Sequence, residues 1–345
     1  MRIKTFYAIS CFLTVFVYGY AYSQEEPGWE QYKEHFISKD GRVIDYYQES
    51  ASHSEGQGYG MLLAVMHDDK VLFDQIRVWT KNNLNVREDG LLAWLWGKRS
   101  DKRWEVIDYN NATDGDILAA FALIEAVKKW DKQEYKAEAL EIIERIRKEL
   151  AFNWQGRTLL MPAYYGFKKE EGFVINPSYF ILPAFRAFAE VDKKPFWDKV
   201  YKDCSSILSE ASFSTLQLPA DWVILKKSGF SIYTERSENY GYEAIRIPLY
   251  MSFEVKPEFP AGIKEILSTY DKIGYIPLWV NLVNDSISLK SAPAGFYAVY
   301  ARVARIMGED ALSDKLFEEA RAKLQEEKDD YYSFTLYLLA KGNTN

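Results

Sequence analysis

Six times along the chain a cluster of polar or small residues opens into a short helix rich in Ala, Gly and aromatic residues. After five of the six, a charged amphipathic helix follows. A helix that is apolar all round must be buried, whereas one with a single apolar stripe covers a core and faces water. The apolar helices are expected to start near Gly56, Asp114, Pro177, Tyr242, Ala292 and Tyr331. Their charged partners read VLFDQIRVWTKNNL, EYKAEALEIIERIRKEL, KPFWDKVYKDCSSIL, PEFPAGIKEILSTYDKI and DALSDKLFEEARAKL. The sixth partner is WEQYKEHFIS near the N-terminus, returning to close a ring. Apolar helices inside and charged helices outside predict an all-α fold, an (α/α)6 barrel of six helical hairpins. An open right-handed solenoid of helix pairs is the alternative. No Ser/Pro/Gly-rich linker divides residues 24–345, which read as a single domain.

The first residues, MRIKTFYAISCFLTVFVYGYAYS, combine a basic start at Arg2 and Lys4, an apolar run and the small-residue site Ala21-Tyr22-Ser23. That pattern predicts a signal peptide over 1–23 and a periplasmic or secreted product. The apolar run is too short for a comfortable membrane span, so no stable insertion is expected. Cleavage removes two cations and no anions, taking the formal charge from −7 to about −9. A net acidic chain without a basic stripe is a poor nucleic-acid ligand. Cys204 is left alone after cleavage, so no internal disulfide is expected and stability falls to the core.

If the inner helices run parallel, their N-termini gather at one end and the residues before them line one cleft. Those residues include Glu55 in HSEGQGYGM, Asp114 and Asp116 in NNATDGDILAAF, Tyr179 in NPSYF and Glu243 in NYGYEAIRIPLY. Each acid alone reads equally as a helix-start charge or cap. Their convergence on one cleft reads as paired-carboxylate hydrolysis. The glycines around Glu55 are expected to let a long ligand approach the backbone. Other chemistries find little support. His35, His53 and His67 have no metal-ligand spacing, and there is no nucleophile elbow, P-loop or dinucleotide fingerprint, so neither metal nor cofactor is expected. Aromatic residues make up 16% of the chain, a surplus divided between the core and a sugar-stacking groove. Tyr59, Trp94, Trp96, Trp104, Trp222 and Tyr242 are the candidates for the groove.

The blocks SEGQGYGM, DGLLAWLWG, NATDGDILAAFALIEAVKKW, INPSYF, LPADWV and YEAIRIPLY resemble, in order, the motifs of glycoside hydrolase family 8. The look is closest to the periplasmic endoglucanases that accompany bacterial cellulose synthesis. The resemblance covers about Trp29 to Leu339 and implies an (α/α)6 catalytic barrel that hydrolyses β-1,4-linked glucan with inversion. It implies Glu55 as proton donor, Asp114 holding the sugar of the central subsite, and Tyr179 and Arg246 positioning the attacking water and the base. Trp94 would be a stacking platform, with Asp116 and Tyr242 as neighbours. An association with a cellulose synthesis or export system follows from the same resemblance. Xylan or chitosan as substrate, both cut within the family, is the alternative.

One residue departs from the family pattern. The base is an aspartate there, and Glu243 stands in its place. Glutamate is competent as a base but one methylene longer, and inversion needs roughly 6.5–9.5 Å between carboxyls for a water to fit. A glucan-binding subunit with weak or no turnover is the corresponding non-enzymatic reading.

Overall fold

The computed structural model describes residues 27–342, so the expected signal peptide lies outside the described residues. Twelve α-helices occur among them: α1 (Trp29–Phe36), α2 (Ser54–Met66), α3 (Lys70–Asn83), α4 (Thr113–Trp130), α5 (Gln133–Leu150), α6 (Leu182–Asp192), α7 (Pro195–Glu210), α8 (Arg246–Met251), α9 (Ala261–Ile273), α10 (Ala294–Ile306), α11 (Asp310–Glu326) and α12 (Tyr331–Lys341). The even-numbered helices are the apolar set. Helix α2 packs on α4, α4 on α6, α6 on α8, α8 on α10, α10 on α12, and α12 back on α2. That cycle is a closed inner ring, which an open solenoid cannot form.

The odd-numbered helices form the outer layer. Helices α3, α5, α7 and α11 each lie against the inner helix that precedes them, and α1 lies against α12. The stripe that docks α5 is Tyr135, Ala139, Ile143, Ile146 and Leu150, spaced three and four residues apart as one helix face requires. Helix α1 is fastened by a buried bond of 2.9 Å between the Tyr32 hydroxyl and Thr335 Oγ1. The N-terminal segment thus closes the outer ring as the sequence predicts. Helix α9 sits against Leu218–Pro219 and reaches α10 through Tyr270 and Tyr297, whose ring centroids are 6.5 Å apart.

The glycines of α2 serve a different purpose from the one expected. A Cβ on Gly58 would lie 2.6 Å from Leu118 Cβ, and one on Gly60 would lie 2.7 Å from Val43 Cγ2. From the facing helix, a Cβ on Gly115 would come within 2.6 Å of Ser54 Cβ. The close approach of α2 and α4 needs the absences at Gly58 and Gly115, and the one at Gly60 makes room for Val43. Gly56, Gly58 and Gly60 are buried between elements and do not open space for a ligand.

Two inner helices start later than their apolar patterns suggest. Asn176 caps a single 3-10 turn at Pro177–Tyr179 through its side-chain oxygen, and α6 begins only at Leu182 with Pro183 in its first turn. Proline presets the helical φ and lacks a donor that the first turn would leave unpaired. Residues 242–245 form a turn, so α8 begins at Arg246, not Tyr242, and Glu243 precedes the helix.

Short strands absent from the all-helical expectation fill the connections. A three-stranded antiparallel sheet joins β1 (Ser52–His53), β2 (Leu95–Lys98) and β3 (Trp104–Asp108), pairing Ser52 with Trp96 and His53 with Leu95. A second sheet orders Gly229–Ile232, Val223–Lys226 and Phe173–Ile175. Strands of two to five residues carry too few alternating positions to show a period in sequence.

Candidate active site

Four inner-helix starts converge on one solvent-open cleft. Glu55 lies in the first turn of α2, whose N-cap is His53: the Gly56 N–H donates to His53 Nδ1 at 3.2 Å. Asp114 lies in the first turn of α4 and its Oδ1 accepts from the Gly115 N–H at 2.9 Å. Tyr179 closes the 3-10 turn before α6, and Glu243 and Arg246 flank the start of α8. All five side chains line the cleft together with Trp94, Tyr242 and Tyr332.

Arg246 organises the acids. Its Nη1 donates to Glu55 Oε1 and, at 3.2 Å, to Asp114 Oδ2. Its Nη2 donates to Glu243 Oε2 and, at 2.9 Å, to Ser178 Oγ. The Tyr179 ring lies against the guanidinium, 5.4 Å from Cζ to centroid. Asn176 Nδ2 adds a second donor to Glu243 Oε2 at 2.8 Å. A guanidinium has five donors in a fixed plane, which suits it to hold several carboxylates in one geometry.

The electrostatics follow from this arrangement. Burial, and then repulsion from Glu55, push the Asp114 carboxyl well above the ordinary carboxylate range, against the pull of Arg246. Burial opposes the charge on Arg246, but Glu55 and Glu243 overcome it and keep the guanidinium protonated. Among the described residues no group of three His, Cys, Asp or Glu side chains is arranged to hold a metal ion, and no helix is long and apolar enough to cross a membrane.

Of the residues singled out from sequence, Glu55, Asp114, Glu243, Tyr179, Arg246, Trp94 and Tyr242 line the cleft. Tyr59 is corrected from a groove residue to a core residue: it is fully buried and its hydroxyl meets that of Tyr250 at 2.5 Å. Asp116 is likewise turned inward, accepting from the Leu92 N–H at 2.8 Å and from Asn111 Nδ2 at 2.9 Å. Trp222 is buried behind the cleft, stacked on Phe167 at 5.5 Å with an edge contact to Tyr179. Trp96 stands on β2 beside Trp104, their centroids 5.1 Å apart, and the Arg42 guanidinium lies over both rings.

Known proteins resemble this chain over most of its length. The sequence matches the profile described as "Glycosyl hydrolases family 8" over residues 2–345. The chain belongs to glycosyl hydrolase family 8. It is 34% identical over 277 residues to an endoglucanase of Cellulomonas uda, covering 79% of this chain and 76% of that one. A probable endoglucanase of Novacetimonas hansenii is 30% identical over 315 residues, covering 90% and 88%. The crystal structure of endoglucanase Cel10 from Klebsiella pneumoniae, described as a family 8 glycosyl hydrolase, superposes with a TM-score of 0.79 at 33% identity, covering 91% of this chain and 97% of that one. The family 8 chain is therefore a glycoside hydrolase with the (α/α)6 barrel.

The sequence did not point to His53 and Tyr332, which line the cleft, or to Asn176 and Ser178, which lie buried beneath it and bond Glu243 and Arg246. Asn176 and Ser178 were within sight in NPSYF, where Asn before Pro is a capping signature. His53 could be recognised as a helix cap only once its ring was placed under Gly56.

Proposed function

We propose that this family 8 enzyme is an endo-acting β-1,4-glucanase that cleaves with inversion, with Glu55 as general acid and Glu243 as general base. The observation that carries the reading is the single Arg246 guanidinium bonded to both acids at the floor of one cleft. A guanidinium between two carboxylates spaces them by its own width and two hydrogen bonds. Inversion itself, which needs roughly 6.5–9.5 Å between the carboxyls rather than the roughly 5–5.5 Å of a retaining pair, rests on the resemblance to family 8.

Glu55 gives its proton to the glycosidic oxygen as the bond from that oxygen to the anomeric carbon breaks. A water on the opposite face forms the new bond and passes a proton to Glu243. One of the two carboxyls is anionic before the step and the other after it, and Arg246 touches both, so its charge is matched throughout. Burial raises the Asp114 carboxyl, which lines the cleft where it can bond a hydroxyl of the central sugar. Trp94 and Tyr242 offer ring faces to the glucan. Export through residues 1–23 and association with cellulose-synthesis or export machinery belong to the same proposal and rest on the sequence alone.

The test is a reducing-sugar assay on carboxymethylcellulose, xylan and chitosan, with the product anomer followed by NMR. Release from carboxymethylcellulose with the α-anomer appearing first is the expected result. The β-anomer appearing first overturns inversion. Tight oligosaccharide binding without new reducing ends supports the non-enzymatic reading that Glu243 raises.

A further inference from the structure

The longer base at position 243 depends on where its backbone is held: Arg246 and the Tyr332 hydroxyl hold the carbonyls of the turn, and a third side chain takes its N–H groups. Glu243 sits in a turn just before α8, and the first residue of α8 holds its carbonyl, which accepts from the Arg246 N–H at 3.2 Å and from Arg246 Nε at 3.3 Å. Before it, Asn239–Tyr240 pairs antiparallel with Val280–Asn281, and the Tyr240 hydroxyl is joined to that of Tyr300 at 2.7 Å. Between that strand and α8, the turn is gripped from below by Asp221. Asp221 Oδ1 accepts from the Gly241 N–H at 3.0 Å and the Ala244 N–H at 2.9 Å, on either side of Glu243. Its Oδ2 accepts from Ser237 Oγ at 2.9 Å, and its own N–H donates to the Asn239 carbonyl at 2.9 Å. Asp221 is 6% exposed and does not line the cleft.

We propose that Asp221 is the positioning residue of the catalytic base: its carboxylate clamps the Gly241–Ala244 turn and sets how far the Glu243 carboxylate stands from the attacking water. The proposal rests on the assignment of Glu243 as base. The turn presents two N–H groups with no helical partner, and one buried carboxylate oxygen takes both. An acceptor for two backbone donors that bracket a side chain fixes that side chain's Cα more tightly than packing alone can. A glutamate in place of the family's aspartate makes this position critical, because its carboxylate reaches one methylene further and a small backbone shift carries it against the attacking water. A displacement of about 1 Å at a reacting group is worth on the order of 100-fold in rate.

The experiment compares Asp221→Ala, Asp221→Asn and Glu243→Gln on a soluble cello-oligosaccharide, with thermal melting of each variant. For Asp221→Ala a fall in kcat on the order of 100-fold is expected, with KM within about threefold of the parent. Asp221→Asn keeps an oxygen able to accept both N–H groups and restores kcat to within about tenfold of the parent. Glu243→Gln is inactive, and adding Asp221→Ala to it costs nothing more, since residues acting through one group are not additive. An Asp221→Ala enzyme at parental kcat beside an inactive Glu243→Gln overturns the clamp and leaves the base assignment standing. An active Glu243→Gln overturns the base assignment and the clamp with it.

Should Asp221→Ala fail to fold, Gly241→Ala carries the test. Gly241 is not in the left-handed region, and its added Cβ would lie 3.2 Å from Asp221 Oδ2, displacing the carboxylate slightly. A several-fold lower kcat at unchanged KM supports the clamp, and parental kcat overturns it.

Discussion

Arg246 and Glu55 lie 191 residues apart in the chain, yet Arg246 Nη1 donates directly to Glu55 Oε1. The bond joins the first turns of α2 and α8 across the inner ring, and Glu243 and Asp114 share the same guanidinium. The cleft floor is therefore one charge network, so that altering any member alters the setting of both proposed catalytic acids.

Replacing Glu55 with Gln keeps the shape of the side chain and removes the transferable proton. Turnover is expected to fall by about 10²–10⁴-fold, the usual worth of a general acid. Cello-oligosaccharide affinity, measured by calorimetry, should stay within a few-fold. Parental kcat in this variant would remove Glu55 from the mechanism.

Glu243→Asp shortens the base by one methylene and restores the residue implied by the family pattern. Activity on carboxymethylcellulose is expected to hold or rise, while Glu243→Ala loses it. An inactive aspartate variant would mean that the proton is accepted elsewhere.

Arg246→Ala leaves the buried Asp114 carboxyl beside Glu55 and Glu243 without their shared cation. Removing one partner of a buried ion pair costs about 3–5 kcal/mol. The loss in Tm at pH 7 should shrink as pH falls, because protonating Asp114, which burial and Glu55 already push upward, removes its unpaired buried charge. Calorimetric scans at pH 5 and pH 7 check both the size and the sign.

Burial raises the Asp116 carboxyl from 3.8 to about 7, and burial likewise raises Asp221 from 3.8 to about 6. A folded-state pKa above the unfolded one means that the native protein holds a proton that the unfolded chain has released. For these two groups, stability is greatest below about pH 4 and declines as pH rises, through about pH 6 for Asp221 and about pH 7 for Asp116. Asp116→Asn should remove its share of that decline. It also sets an NH2 against the donor of Leu92 or Asn111, and Asn111 cannot turn because its Oδ1 accepts from the Tyr164 N–H at 2.6 Å. A cost of about 1–3 kcal/mol is expected, read from urea melts across this pH range.

Gly58→Ala places a methyl against Leu118 in the seam of α2 and α4. Overpacking of this kind costs about 1–3 kcal/mol. A Tm at or above the parental value would show that the two helices can part without penalty.

The sequence by itself determined the alternation of buried and half-buried helices, because a wholly apolar helix and a striped one have different solvation requirements wherever they are placed. It also put acids at the inner-helix starts, and closure by the N-terminal helix followed from an unequal count of partners. The tertiary structure decided what those residues face. Tyr59 and Asp116 share the composition and spacing of cleft residues, yet the turn of their helices points one at Tyr250 and the other at Asn111. The glycines near Glu55 resembled room for a ligand until Leu118 and Val43 were seen to fill it. Arg246 could be named from its motif, but its hold on Glu55, Asp114 and Glu243 exists only because ring closure brings distant segments within hydrogen-bond reach. Asp221 carries no local signal of its role, since its partners are backbone N–H groups of a turn 20 and 23 residues further along, and backbone groups leave no mark in sequence.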